Sequence, residues 1–243
     1  MKIWNQSSKD KNSVIDDFLS REDIVLDQEL FLYDIEASIA HAHELENINI
    51  LTKSETKKVI VSLKKLAKLF LAKKFKLTSK YEDCHSAIED YLTKELGSVG
   101  KKIHTGRSRN DQVMVAMRLY ARAKLDEIQS MNLKIAQSFF EKAEQHSSDP
   151  MPGYTHLQRA MPSTWGLWFG AFAESFLDNA DLLSNTQTWM NINPLGSAAG
   201  YGVNLPIKRD ISTKELNFKR KQLNTLYVQN SRGKFELELI GSL

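Results

Sequence analysis

Two short polar stretches carry the side chains with the most obvious chemical potential. The first, His104 to Gln112, reads HTGRSRNDQ, and the second, Met151 to Ala160, reads MPGYTHLQRA. A guanidinium is a permanent planar cation suited to a carboxylate, and an imidazole changes its protonation state near neutral pH. Such groups can bind anions and transfer protons. For the second stretch taken alone, a loop with one solvated histidine is the simpler explanation.

The span between the two stretches predicts one long helix. Residues 107–149 contain neither Gly nor Pro, and their apolar residues recur at helical spacing. A helix of about forty residues would be about 60 Å long. It would be stable only if packed along its length, in a bundle or against other subunits. Proline cannot continue a helix from within, so Pro152 and Pro162 predict a turn between this helix and a returning one over residues 163–193.

Shorter helices are predicted before the first polar stretch. Residues 27–47 have helical periodicity, and Thr52 with Glu55 forms a capping box for the next helix. A third helix begins at Asp83 and ends at Gly97, a residue that often terminates helices.

Three features outside the polar stretches allow more than one interpretation. The helix after Thr52 is rich in lysine, but no nucleic-acid motif accompanies it, which favours a solvated amphipathic helix. Cys84 beside His85 could suggest zinc, yet adjacent helical residues point apart, which favours a buried cysteine and no metal site. The glycine-rich segment 193–202 could present N–H groups to an anion or be a flexible connector, and both readings stay open.

Composition narrows the class of protein. The chain has 243 residues, of which 42% are hydrophobic, with a net charge of +3 and a single cysteine. A charge this small does not argue for nucleic acid, and the lone cysteine fits a reducing compartment. The N-terminus has no apolar core typical of a signal peptide, and no apolar run is long enough to span a bilayer. We expect a cytoplasmic protein that binds neither nucleic acid nor membrane.

The pattern of elements predicts an all-α fold. It consists of an N-terminal helical domain over residues 1–106, followed over residues 107–243 by the first long helices of a central bundle. Ser212 and Glu215 predict another capping box and a short helix. An apolar helical pattern that begins near Lys234 is still running at the last residue, so the bundle is expected to be truncated at its C-terminus.

Four segments resemble motifs of the argininosuccinate lyase family. Residues 100–113 and 151–160 are similar to its two best-known N-terminal motifs, and residues 34–42 and 193–197 to two others. Fumarases, aspartases and adenylosuccinate lyases share the fold and a Thr-His element but differ at the first motif. The resemblance implies a reversible β-elimination that cleaves argininosuccinate to arginine and fumarate in arginine biosynthesis, without metal or organic cofactor.

The same resemblance implies roles for individual side chains. Arg109, Asn110 and Thr155 would bind the succinyl carboxylates, where negative charge develops after proton abstraction. His156 matches the catalytic histidine, and Thr155 joins it in the catalytic set. The other implied substrate-binding positions are Asp27 at the arginine end, Gln158 near the substrate, and Arg107 and Ser108 in support. Relatives assemble each active site from several subunits of a homotetramer, and we expect the same here.

The chain also departs from the family pattern. Asp23 replaces a serine found in many relatives, the loop Gly196–Gly200 is a variant, and Trp4-Asn5-Gln6 lacks the usual glycine pair. The family's loop with the proton-abstracting serine and a carboxylate-binding lysine would follow Leu243. The isolated chain is therefore expected to be catalytically inactive.

Two alternatives stay open. The protein could be another lyase of the fumarase/aspartase superfamily, acting on adenylosuccinate or aspartate, although residues 107–113 argue against this. It could also be non-enzymatic, like the lens crystallins that keep the fold for structural use. The joint presence of Asn110, Thr155 and His156 weakens that second alternative, because a structural role does not require them together.

Overall fold

The computed structural model describes residues 22–243. The polar lead-in predicted up to Ser20, including Trp4-Asn5-Gln6, lies outside the described residues. The helices are α1 (Asp23–Asn47), α2 (Lys53–Leu71), α3 (Cys84–Leu96), α4 (Ser98–Lys101), α5 (Arg109–Gln145), α6 (Trp165–Met190), α7 (Asp210–Glu215), α8 (Thr225–Asn230) and α9 (Lys234–Gly241). The strands are β1 (Pro150–Thr155), β2 (Gln158–Thr164), β3 (Ile192–Asn193) and β4 (Arg220–Lys221), and a 3₁₀ turn covers Lys102–His104. Helices dominate the described residues, which confirms the predicted all-α class.

The chain divides into two compact units. The first takes the chain up to Tyr120 and then Asn191–Arg232, and the second comprises Ala121–Met190 and Gly233–Leu243. The long helix α5 therefore contributes its first turns to one unit and the remainder to the other. A domain boundary after residue 106 stays a prediction.

The core of the first unit is built by α1, α2 and α3. The capping box predicted for α2 is confirmed, since Thr52 accepts from the Glu55 N–H and Glu55 accepts from the Thr52 N–H. Asp83 caps α3, and Gly97 ends it with a φ of 61°. Fully buried side chains from these helices form one cluster that includes Phe31, Leu45, Leu63, Leu66, Ile88 and Leu92. Each such side chain contributes about 1.5–3 kcal/mol when removed from water.

A second small cluster ties the later part of the first unit to the start of α5. Ala37 and Ala40 of α1, and Val115 of α5, pack against Leu195 and Leu216. The glycine-rich segment and α7 are held against the helix start by these contacts. The capping box predicted at Ser212 is wrong, because α7 begins at Asp210 and the Ser212 hydroxyl instead donates to the Arg209 carbonyl oxygen.

The second polar stretch forms a hairpin where a turn between helices was predicted. Strands β1 and β2 pair antiparallel, with Thr155 opposite Gln158. The connecting residues His156 and Leu157 have φ values of 52° and 61°, as a tight turn of the I′ kind requires. A two-stranded ribbon has only edge strands, which tolerate proline, so Pro152 and Pro162 sit opposite each other. The prolines were therefore compatible with strands as well as with a helix break.

The second unit is packed by aromatic side chains and by one close backbone approach. The Phe139 ring lies 5.2 Å from that of Phe172 and 6.0 Å from that of Phe176. A Cβ added at Gly166 would lie 2.6 Å from the Ser147 Cα, so α6 approaches the end of α5 at this glycine. Within residues 22–243, no helix is both long and apolar enough to cross a membrane.

Two glycines of α6 should respond to alanine in opposite ways. Gly166→Ala should destabilise the protein by about 1–3 kcal/mol, because its Cβ would collide with backbone that cannot move easily. Gly170→Ala has no atom within 4 Å of the added Cβ and should stabilise by up to about 1 kcal/mol, since alanine favours helix. Urea unfolding of both variants tests this. Equal effects from the two would contradict the packing described for Gly166.

The carboxyl group of Glu55 should titrate far below its ordinary range. The hydrogen bond from Lys102, and that from the Thr52 N–H, lower its pKa from 4.5 to about 2. A depressed pKa means that the stabilisation is complete above pH 4.5 and is lost as pH falls toward 2. NMR should show a Glu55 carboxyl signal that is constant down to about pH 3. Lys102→Met should raise this pKa toward 4.5, and the neighbouring control Lys101→Met should leave it low.

Candidate active site

The first polar stretch is anchored on helix α1 before α5 begins. The His41 Nε2 donates to the Thr105 carbonyl oxygen at 2.9 Å, and the Arg107 Nη1 donates to the Ser38 hydroxyl at 2.9 Å. Arg107 is 8% exposed. Burial lowers the pKa of Arg107, although the negative charges of Asp34 and Asp111 oppose this. Arg107 therefore acts as an internal cation and holds the chain in place.

The Asp111 carboxylate binds the glycine-rich segment. It is fully buried and accepts from the backbone N–H groups of Gly196 and Ala198, each at 2.9 Å. Its other oxygen accepts from the Ser108 N–H at 2.9 Å. Gly196 and Ala198 have φ values of 83° and 52°, which turn their N–H groups toward the carboxylate. Of the two readings of this segment, anion binding is the observed one, but the anion is supplied by the chain itself.

A second buried carboxylate, Asp34, lies beside the same helix turn. It accepts from the His85 Nδ1 at 2.8 Å and from the Gln112 Nε2 at 3.2 Å. Burial alone would raise the pKa of Asp34, but the charge and hydrogen bond of His85, with Arg107 and Gln112, hold it below its ordinary value. Asp34 is thus kept as an anion in the interior.

Arg109 is half-buried and its guanidinium is held at all three nitrogens. The Nε pairs with Asp83 at 2.8 Å, the Nη2 donates to the Ser86 hydroxyl at 3.1 Å, and the Nη1 donates to the Gln112 Oε1 at 3.1 Å. Asp83 also caps the N-terminus of α3. The predicted carboxylate-binding cation is therefore fixed between α3 and α5.

Asn110 lies next to a cation that the sequence did not reveal. The Arg232 Nη1 donates to the Asn110 Oδ1 at 3.3 Å, and the Asn110 Nδ2 donates to the Ser108 hydroxyl at 3.3 Å. Arg232 is exposed and belongs to the loop after α8. A separation of 122 positions left no local pattern that could have linked the two residues.

Asp27 contacts the start of α3 in the first unit. Its Oδ2 accepts from the Cys84 N–H at the start of α3, at 2.8 Å. Burial raises the pKa of Asp27, although this hydrogen bond and the charge of His85 oppose the effect. A contact between Asp27 and the arginine end of a substrate stays a prediction.

Asp34, Cys84 and His85 bring potential metal-ligand atoms within 4.8 Å of one another, and all three residues are buried. A metal would need the Cys84 thiolate. Burial, followed by the charges of Asp34 and Asp27, raises the pKa of this thiol well above its ordinary value. Asp34 is already satisfied by His85 and Gln112. The arrangement therefore favours a hydrogen-bonded cluster over a metal site.

The remaining implied site residues lie on the hairpin of the second unit. Thr155, His156 and Gln158 are all exposed. His156 has a left-handed backbone conformation, which costs a non-glycine residue about 1 kcal/mol or more and which the tight turn of the hairpin requires. The structure thus gathers Arg107, Ser108, Arg109 and Asn110 in the first unit and the other three residues on the hairpin.

Removing the charge of Asp111 should loosen the glycine-rich segment. In Asp111→Asn, the amide would turn its NH₂ group either toward the Ser108 N–H or toward the N–H groups of both Gly196 and Ala198, so we expect a loss of about 2–4 kcal/mol in the free energy of unfolding. Asp210→Asn serves as control, because that side chain is 74% exposed and should change stability by less than about 0.5 kcal/mol. Urea unfolding measures both. Similar stability of the two variants would refute an essential role for the buried carboxylate.

Comparison with known proteins shows close relatives. A family model described as "Lyase" matches residues 2–234. The argininosuccinate lyase of Stenotrophomonas maltophilia (strain R551-3) is 45% identical over 99% of this chain and 56% of its own length. That of Xylella fastidiosa (strain 9a5c) is 46% identical over 99% of this chain and 54% of its own length. The chain spans about half the length of the curated relatives that it matches.

Solved structures show the same fold. EDDS lyase in complex with formate gives a TM-score of 0.80 at 27% identity, covering 89% of this chain and 42% of that one. A fumarate lyase described as delta crystallin, from Brucella melitensis, gives a TM-score of 0.67 at 17% identity. The match covers 81% of this chain and 48% of that one. At that identity the likeness concerns the fold alone. The family match over nearly the whole length, on a chain with this fold, shows that the protein belongs to the lyase family.

Proposed function

We propose that the protein carrying this chain is an argininosuccinate lyase, which splits argininosuccinate reversibly into arginine and fumarate in arginine biosynthesis. The observation that carries the proposal is the fixed pair Arg109 and Asn110, with Arg232 bonded to Asn110, in a chain 45% identical to argininosuccinate lyases over 99% of its length. Guanidinium and carboxamide groups at the start of α5 and at Arg232 suit a substrate that carries several carboxylates.

The proposed reaction explains why such donors are needed. Removal of a proton beside a carboxylate leaves a carbanion that delocalises into that carboxylate and increases its negative charge. Donors held in place before the reaction stabilise this charge without having to reorganise. We assign this task to Arg109 and Asn110, with Thr155 as a further donor. His156 would assist departure of the guanidinium nitrogen as an acid. The reaction consists of two proton transfers and the cleavage of the carbon–nitrogen bond, whose electron pair leaves with the nitrogen, and we propose that it requires no metal or organic cofactor.

We further propose that the complete site forms between copies of the chain in a homotetramer located in the cytoplasm. The hairpin residues Thr155, His156 and Gln158 are exposed in the single chain, although the proposed chemistry requires partial exclusion of water. The long helices also expose large apolar side chains, namely Met131, Leu133, Ile135 and Phe140 on α5, and Leu167, Trp168, Phe172, Leu177 and Leu182 on α6. Apolar exposure on this scale is typical of subunit interfaces.

The proposed small-molecule partner is argininosuccinate, with no role for nucleic acid or membrane.

A second candidate is a carbon–nitrogen lyase that shares the fumarate half of the reaction but acts on another amine. EDDS lyase is 27% identical to this chain, and a variant of it has been solved with fumarate bound. Arg109 and Asn110 would serve either substrate, because both proposals assign them to the dicarboxylate half. The amine half would discriminate, and Asp27, whose role there is a prediction, is already bonded to the Cys84 N–H.

The proposal is tested by incubating the complete gene product with argininosuccinate. The release of fumarate is measured by its ultraviolet absorbance. We expect turnover, and a loss of at least about 100-fold in kcat for His156→Gln, because general acid catalysis contributes about 10²–10⁴. His146→Gln is the matched control, since that histidine is outside both polar stretches and should stay within about twofold.

The outcomes separate the candidates. A folded protein that releases no fumarate from argininosuccinate, but does so from another N-substituted aspartate, would support the second candidate and exclude the first. A folded protein inactive on both would point to a non-enzymatic member of the family.

A further inference from the structure

The buried side chain of Gln112 connects Arg109 to the interior of the first unit. Gln112 is 2% exposed and lies one helical turn beyond Arg109. Its Oε1 accepts from the Arg109 Nη1 at 3.1 Å, and its Nε2 donates to both Asp34 oxygens, at 3.2 and 3.3 Å. The amide thus links a buried anion to a half-exposed cation.

The orientation of this amide is dictated by Asp34. An ionised carboxylate can only accept hydrogen bonds, so the Gln112 NH₂ group must face Asp34 and its oxygen must face Arg109. His85 also holds Asp34, through a 2.8 Å hydrogen bond from its Nδ1 to the Asp34 Oδ2. A reversed amide would point an oxygen at an anion and an N–H at a cation. The network therefore has one stable arrangement.

The network leaves part of Arg109 free for a ligand. Of the five N–H donors of a guanidinium, Asp83, Ser86 and Gln112 each engage one. Nε and Nη2 form one edge of the group, and Asp83 and Ser86 occupy that edge from α3. Among residues 22–243, the donors that remain are one on Nη1 and one on Nη2. Each of them can donate a charge-assisted hydrogen bond to a carboxylate oxygen.

We propose that Gln112 is a positioning residue that fixes the guanidinium of Arg109 for the carboxylate of the substrate. The inference rests on the proposed function only in assigning this carboxylate to the succinyl half of argininosuccinate. Gln112 itself is 2% exposed, so we assign it a role through Arg109 and not through contact with the substrate. It acts by keeping the Arg109 guanidinium in one orientation, so that its remaining N–H groups have fixed directions.

Two substitutions of Gln112 distinguish a role in positioning Arg109 from a role in the stability of the fold alone. Gln112→Leu removes the acceptor for Arg109, and we expect KM for argininosuccinate to rise about tenfold with kcat changed by less than about threefold, the size expected for one hydrogen bond to a charge. Gln112→Glu keeps an oxygen for Arg109 but sets a carboxylate against Asp34. Its urea midpoint should fall, while KM stays within about threefold of the wild-type value.

The control for both is Gln137→Leu, an exposed glutamine on the same helix bonded to Glu141, which should change neither quantity. Kinetics are measured on the complete gene product. If KM instead follows the urea midpoint across the Gln112 variants, or does not move in Gln112→Leu, the inference is overturned.

A readout without substrate separates this inference from the proposed function. NMR of this chain can follow rotation of the Arg109 guanidinium about its Nε–Cζ bond. Rotation should be about tenfold faster in Gln112→Leu than in wild type, and unchanged in Gln112→Glu and Gln137→Leu. This result with no fumarate released would support positioning and reject the proposed reaction. Unchanged rotation in Gln112→Leu would reject positioning, whatever the activity.

Discussion

Two buried carboxylates determine how the start of α5 is built. A carboxylate removed from water is strongly destabilising unless hydrogen bonds and cations compensate for the lost hydration. Asp111 meets this requirement with three backbone N–H groups, two of them from the glycine-rich segment. Asp34 meets it with His85 and Gln112, close to the charge of Arg107. The need to satisfy these anions fixes the surrounding chain more tightly than apolar packing alone could.

This constraint divides the residues of one short motif between two tasks. Arg107, Asp111 and Gln112 are buried and hold α1, α5 and the glycine-rich segment together. The residues between them, Arg109 and Asn110, are only partly buried and carry the donors proposed for substrate. Arg107 precedes α5 and reaches α1, whereas Asp111 and Gln112 are buried in the first turns of α5, so neighbouring members of a compact motif serve the interior and the site separately. The density of polar residues in the motif reflects both demands.

Local signals in the sequence were sufficient for most helices. The capping box at Thr52 and the glycine at Gly97 each act within one or two helical turns, so they could be read directly. The long helix could be read from the absence of Gly and Pro over residues 107–149. The hairpin was missed because its prolines are allowed in edge strands as well as at helix ends. The cap predicted at Ser212 failed because its hydroxyl bonds back to Arg209.

The site was predictable only where residues lie close together in the chain. Arg109 and Asn110 stood out by type, but their partners Asp83 and Arg232 come from distant segments that only the fold brings near. The sequence also could not show which anion the glycine-rich segment binds. A bound ligand and a carboxylate of the chain itself would require the same backbone conformation. Amide hydrogen exchange at Gly196 and Ala198 tests the internal anion most directly. If Asp111 holds both N–H groups, they should exchange roughly a thousandfold more slowly than in an unstructured chain, and exchange near the unstructured rate would contradict an internal anion.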